Sequence, residues 1–296
     1  MSHKIEHILV PVDFSETSEF AIYTAAAMAM LLKAELYFIH VMESNEYYFS
    51  VLPEAKSVMP PVGDIKAEAE KKMLDLQHKI KAYSGINATL FTTSGNIESE
   101  IRAYVKTNAI DLIVMGTHGI SGYQEVFIGS NAQRVVTLSE IPVLTLKKEK
   151  DILGFKNILL PFDNDLHSRE KVNIAIKIAD LYSANIHILG VLDSSDPSDI
   201  NKFKIKLKNV EDLMHEHTLP VKTTLIKGDN TAKAALEYAE ANNCDLMVIN
   251  TGHESRITGI FLGAFAQQMV NHANIPVLSI KPTEGTYSSG GTGSGV

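Results

Sequence analysis

Short runs of apolar, β-rich residues recur along the chain, each followed by a longer stretch whose apolar positions return every three or four residues. The runs in the first half are 5–11, 34–41, 88–92, 111–115 and 143–146. They are apolar at consecutive positions, the pattern of strands buried on both faces of a parallel sheet. Between the first two, residues 15–32 keep Ala21, Ala25, Met28 and Leu32 on one helical face. Residues 68–83, 98–107 and 130–138 supply the other helices. This alternation predicts an α/β fold, a doubly wound parallel sheet with crossover helices.

The second half repeats the first. His-Ile-Leu-Val-Pro-Val-Asp at 7–13 returns as Asn-Ile-Leu-Leu-Pro-Phe-Asp at 157–163. At this offset Ser18 meets Ser168, Ala25 meets Ala175, Ala34 meets Ala184 and Val41 meets Val191. Further on the offset shortens. Asp-Leu-Ile-Val at 111–114 then faces Asp-Leu-Met-Val at 245–248, and Ile-Pro-Val-Leu at 141–144 faces the same four residues at 275–278. Copy one therefore carries extra residues between Val41 and Gly95. The expected organisation is one domain at 1–149, a second at 154–282, and a Gly/Ser/Thr-rich flexible tail at 283–296.

Composition narrows the function. Of 296 residues, 45% are hydrophobic and 21% charged, which excludes a disordered or low-complexity chain. Lys and Arg number 14 against 18 Asp and Glu in residues 1–150, and 13 against 17 in the rest. Neither half has the basic surplus that a nucleic-acid partner requires. The lone Cys244 excludes an internal disulfide or a Cys-rich zinc site. The start of the chain lacks a signal-peptide core, and the most apolar stretch, 21–32, is too short to span a bilayer. The expected setting is cytoplasmic, without a membrane partner.

Ligands of open α/β sheets bind at the carboxyl ends of the strands. Here the first strand runs into Asp13-Phe14-Ser15-Glu16 without a glycine, so a Rossmann turn is rejected, and no Walker loop occurs. The glycines follow the fourth strand: Gly116, Gly119 and Gly129-Ser130, spaced Gly-x2-Gly-x9-Gly-Ser. Gly116 and Gly119 are expected to adopt positive φ and admit a ligand to the backbone. Gly129-Ser130 opens a helix with no acid in its first residues, which suits phosphate.

That spacing, with Pro11-Val12-Asp13 and the closing Ile141-Pro142-Val143, resembles the ATP-binding branch of the universal stress protein family, over two tandem copies. The resemblance implies two tandem doubly wound five-stranded parallel sheets of order 3-2-1-4-5, similar to adenine-nucleotide α-hydrolases. It implies adenine and ribose contacts from Pro11, Val12, Asp13 and Val41. It implies phosphate and ribose contacts from Met115, Gly116, Gly119, Gly129, Ser130 and Asn131. ATP is the implied ligand, with Mg2+ left open as its companion. Family members also pair their last strands across a two-fold axis, which implies pairing of the two domains within the chain and a homodimer.

Copy two is expected to be the weaker site. It keeps Asp163, Val191 and Gly263, whereas Gly116 becomes Asn250, Gly119 becomes His253 and Ser130 becomes Ala264. No constellation commits to hydrolysis, so turnover should be slow at most. The leading expectation is an ATP-binding regulatory protein of the stress response. An enzyme acting on adenine nucleotides and a nucleotide-free adaptor remain the alternatives. His118 reads as a solvent-facing loop residue, with a phosphate or metal contact as the alternative. His215 and His217 read as helix surface rather than a metal pair, Asp111 and Asp245 as turn formers, and Cys244 as a buried, inert thiol. The 42–63 loop, rich in Tyr and Pro, either covers the nucleotide, binds a partner or packs over the sheet edge.

Overall fold

Five strands of the first unit pair in parallel in the order β3-β2-β1-β4-β5: β1 (His7–Pro11), β2 (Glu35–Glu43), β3 (Thr89–Gly95), β4 (Leu112–Gly116) and β5 (Val143–Leu146). The computed structural model describes residues 4–43, 62–117, 128–147, 154–162, 169–217, 219–252 and 262–282. Within it the chain divides into two compact units, Met1–Gly154 and Phe155–Val296. Ile8, Leu9 and Val10 of β1 are wholly buried, as consecutive apolar residues in a central parallel strand should be.

The helices of unit 1 are α1 (Glu16–Leu32), α2 (Val62–Ser84), α3 (Ile97–Thr107) and α4 (Ser130–Leu138). Ser15 caps α1 by accepting from Ser18 N, and Lys33, left-handed at φ 57°, ends it. Ala21, Ala25 and Ala29 are buried where α1 lies on the sheet, so a stripe of small side chains sets the close approach. α1 packs with α2 and α3 with α4. α2 starts well before the expected residue 68. Residues 63–68 of it are exposed and include Gly63 and Asp64, so the apolar period that marks a helix is missing there.

Unit 2 repeats the plan with β6 (Asn157–Phe162), β7 (Asn185–Leu192), β8 (Val221–Lys227), β9 (Leu246–Asn250) and β10 (Val277–Ile280), in the order β8-β7-β6-β9-β10. Its helices are α5 (Arg169–Tyr182), α6 (Pro197–His215), α7 (Thr231–Ala241) and α8 (Ala264–His272). Residues 193–196 join β7 to α6, where 44–61 stand between β2 and α2. Those latter residues, which hold most of the 42–63 loop, lie outside the described residues.

Each unit clamps the amino end of its central strand with one carboxylate. Asp111 Oδ2 accepts from the backbone N–H groups of Glu6 at 2.8 Å and His7 at 2.9 Å. Asp245 does the same for Lys156 at 2.8 Å and Asn157 at 2.9 Å. Both aspartates thus hold strands together at the amino end of the sheet. Asp111→Ala strands two N–H groups and is expected to cost about 2 kcal/mol, on the scale of lost charge-assisted hydrogen bonds. Urea unfolding measures it. An unchanged midpoint would show that the clamp carries no stability.

Candidate functional site

The sheet of unit 1 opens at one place. β1 pairs with β2 along its whole length, from His7↔Glu35 to Pro11↔Ile39, but with β4 only at Ile8↔Leu112 and Leu9↔Ile113. Val12 N donates to Ile39 O at 2.8 Å, so strand alternation turns the Pro11 nitrogen and carbonyl toward β4. A proline has no N–H to give, and the ladder to β4 ends. The crevice between β1 and β4 follows from that one residue.

Asp13 stands at its rim. Its Oδ1 accepts from Ser15 N at 3.0 Å and Ser15 Oγ at 2.6 Å, an Asx turn that starts α1. Its N–H reaches Ser18 Oγ at 3.3 Å. Oδ2 has no hydrogen-bond partner among the described residues. The carboxylate is therefore oriented through one oxygen.

Across the crevice, Thr117 leaves β4 with its N–H on Leu146 O at 2.9 Å, and its carbonyl accepts from Gly129 N at 2.7 Å. This brace seats the start of α4 beside the strand end. Gly129 caps α4 without a side-chain hydrogen bond, and the first turn holds no acid, so the first amides of α4 are not served by a cap. A methyl at Gly129 would lie 3.1 Å from Thr117 O. Gly116 departs from expectation. It does not have positive φ; a Cβ there would come within 2.9 Å of Thr17 backbone and side-chain atoms. It is small because α1 crosses it.

A cavity of about 80 Å³ occupies the crevice floor and is lined by Pro11, Val12, Asp13, Ser18, Ile39, Val41, Ile97, Ile101, Met115, Gly116 and Asn131. Seven of the expected site residues meet there. Gly129 and Ser130 stand immediately before Asn131 at the start of α4. Gly119 and His118 lie outside the described residues. Ser18, Ile39, Ile97 and Ile101 were not expected. Ile97 and Ile101 follow from a buried face of α3 that the sequence pattern shows. The volume is below the about 300–1,000 Å³ that ligand pockets usually span. A larger groove of about 260 Å³ lies between α3 and α4, lined by apolar side chains such as Val105, Ile113 and Leu138. Its rim charges sit near one another as Arg102–Glu98 and Lys106–Glu140, and it shares only Ile101 with the crevice.

In unit 2 the same crevice is differently furnished. β6 again meets β9 only at Ile158↔Leu246 and Leu159↔Met247. Lys171, only 2% exposed, donates from Nζ to Pro161 O at 2.8 Å and lies 4.0 Å from the Phe162 ring centroid. Its counterpart in unit 1 is Ala21. The Thr brace persists, with Thr251 N on Ile280 O at 3.0 Å and Gly263 N on Thr251 O at 2.9 Å. The strand exit of unit 2 has its own glycine one residue past Thr251: Gly252, at φ 96°, packs its Cα side against Gly263. Val191 is buried and Asp163 lies outside the described residues.

Other polar candidates are accounted for locally. His215 pairs with Glu211 at 3.4 Å and His217 with Asp180 at 3.7 Å, so the two rings serve different acids on the surface. Burial pushes the Cys244 thiol up to about 11, which leaves it a protonated, inert group at neutral pH. No helix among the described residues is long and apolar enough to cross a membrane. No group of three or more His, Cys, Asp or Glu among the described residues could hold a metal ion.

The sequence model of the universal stress protein family matches residues 4–147 and again 154–281. The chain belongs to that family. As a tandem universal stress protein it is 30% identical over 161 residues to universal stress protein MJ0577 of Methanocaldococcus jannaschii, a match covering 50% of this chain and 99% of the relative. It is 31% identical over 144 residues to universal stress protein YxiE of Bacillus subtilis, covering 47% and 97%. A universal stress protein from Archaeoglobus fulgidus superposes with a TM-score of 0.71 at 19% identity, over 94% of this chain and 97% of that one. That likeness extends the shared fold through both units of this universal stress protein.

Proposed function

We propose that unit 1 of this tandem universal stress protein holds one ATP and acts as a nucleotide-dependent regulator in the stress response rather than as a fast hydrolase. The supporting observation is the placement of Asp13. Asp13 lines a crevice whose opposite wall is the acid-free start of α4, and its Oδ2 has no hydrogen-bond partner among the described residues. A ribose with two hydroxyls fits against the carboxylate, and phosphates fit against the first amides of α4 and Ser130. Ile39, Val41, Ile101 and Met115 give an adenine ring apolar contact. Asp13 and Asn131 are the crevice's polar side chains nearest a metal's needs, so Mg2+ would ride mainly on the phosphates. The lone buried cysteine accords with the cytoplasmic setting that belongs to this reading.

Calorimetric titration of the full chain with ATP is expected to give one site per chain, because unit 2 has Lys171 in its crevice and Ala264 in place of Ser130. Ser130→Ala should weaken that site by about 1 kcal/mol, the size of one hydrogen bond to a charged group. Two equal sites, or an affinity for ATP indifferent to Ser130, would contradict the assignment. Mass spectrometry of ligand released on denaturation separates ATP from AMP or an empty protein.

A further inference from the structure

His40 lies on β2 between Ile39 and Val41, two residues that line the crevice, so its own side chain points to the opposite face of the sheet. There its Nδ1 is 2.7 Å from Val12 O. A carbonyl can only accept, so Nδ1 carries the proton and donates. Val12 is thereby tied to β2 twice, through its N–H to Ile39 O and through its carbonyl to His40. The ring of Phe14 sits 4.5 Å from the His40 ring, centroid to centroid. Phe14 is in the left-handed region at φ 63°, which an aromatic side chain adopts only when its surroundings hold it there.

These contacts bracket Asp13 on both sides. Val12 before it and Phe14 after it are each fixed by the same imidazole. The left-handed step at Phe14 brings Ser15 back under the Asp13 carboxylate. We infer that His40 is a positioning residue that sets the Asp13 carboxylate for a ribose diol, acting from behind the sheet without touching the ligand. This rests on the reading of unit 1 as a nucleotide site. Unit 2 has lost the device: His40 becomes Gly190, against which Phe203 and Leu207 pack, and Phe14 becomes Asn164.

The test is the ratio of affinities for ATP and 2′,3′-dideoxyATP, measured by calorimetry on the full chain. In the wild-type protein ATP binds more tightly, through its two hydroxyls. His40→Ala is expected to lower that ratio roughly tenfold, the loss of one charge-assisted hydrogen bond, while dideoxyATP affinity stays the same. His40→Asn, whose amide can still donate to Val12 O, should restore most of the ratio. In an Asp13→Ala background, His40→Ala should leave the ratio unchanged. Equal losses for both nucleotides in His40→Ala would mark a merely structural histidine and overturn the inference. So would an unaltered ratio. A wild-type chain that binds neither nucleotide would instead overturn the nucleotide reading itself.

Discussion

Lys171→Ala should lower the stability of the chain by about 3 kcal/mol, seen as a fall of roughly 6–12 °C in melting temperature for a unit of this size. Alanine is a better helix former than lysine, so propensity on α5 opposes the loss and does not cause it. The cost has two sources. The four-carbon stem leaves a void where the side chain is 2% exposed, and Pro161 O loses the ammonium that now satisfies it at 2.8 Å. The contact with the Phe162 ring goes as well. Lys171→Met separates the parts: it refills the void but leaves the carbonyl unserved, so it should recover about half of the loss. Differential scanning calorimetry reads both variants. A Lys171→Ala chain as stable as the wild type would show that the ammonium is held in place without contributing.

Gly116→Val is the second large effect. Its Cβ would sit 2.9 Å from the Thr17 carbonyl carbon, Cβ and Oγ1, closer than real contacts allow. Two of the three atoms belong to Thr17's backbone and first side-chain carbon, so no rotamer change relieves the clash. α1 must lift at its first turn, for about 3 kcal/mol by the scale of overpacked cores. Ser18 shares that turn and meets Asp13 N at 3.3 Å. ATP affinity should therefore fall together with the urea midpoint. Of the three clashing atoms Thr17→Ala removes Oγ1 alone, so it should rescue the double variant only in part. A Gly116→Val chain of normal stability that fails to bind ATP would assign this glycine to the ligand instead.

The central strands were legible because β1, β4, β6 and β9 are short runs of successive apolar residues alternating with longer helical periods, the pattern of strands buried on both faces. The outer strands were less so. β3 continues to Gly95 through the half-exposed Thr93 and the exposed Ser94, whose polarity reads as a loop. Spacing marked the glycines after β4, and the family resemblance implied the other expected crevice residues; the reason for Gly116 was hidden, because its neighbour Thr17 is remote in sequence. Lys171 drew no reading: it is the counterpart of Ala21 on the buried stripe, but a lysine carries no apolar signal and its burial comes from the carbonyl that it meets. Gly252 was missed because the copies were compared position by position at Gly116 and Gly119, while the glycine had moved to the position between them. His40 gave no signal beyond a polar residue in an apolar strand.

The aspartate clamp has a consequence for how a duplicated gene ages. Asp111 and Asp245 secure the amino ends of β1 and β6 with the same pair of backbone contacts. Three of the substitutions that distinguish the copies, Ala21 to Lys171, His40 to Gly190 and Gly116 to Asn250, fall toward the other end of the strands. On the proposed reading, folding and recognition draw on separate ends of one scaffold. Once a second copy existed, drift could rewrite its ligand edge while the anchored edge kept it folded, so a paralogous site can change chemistry without passing through an unfolded ancestor.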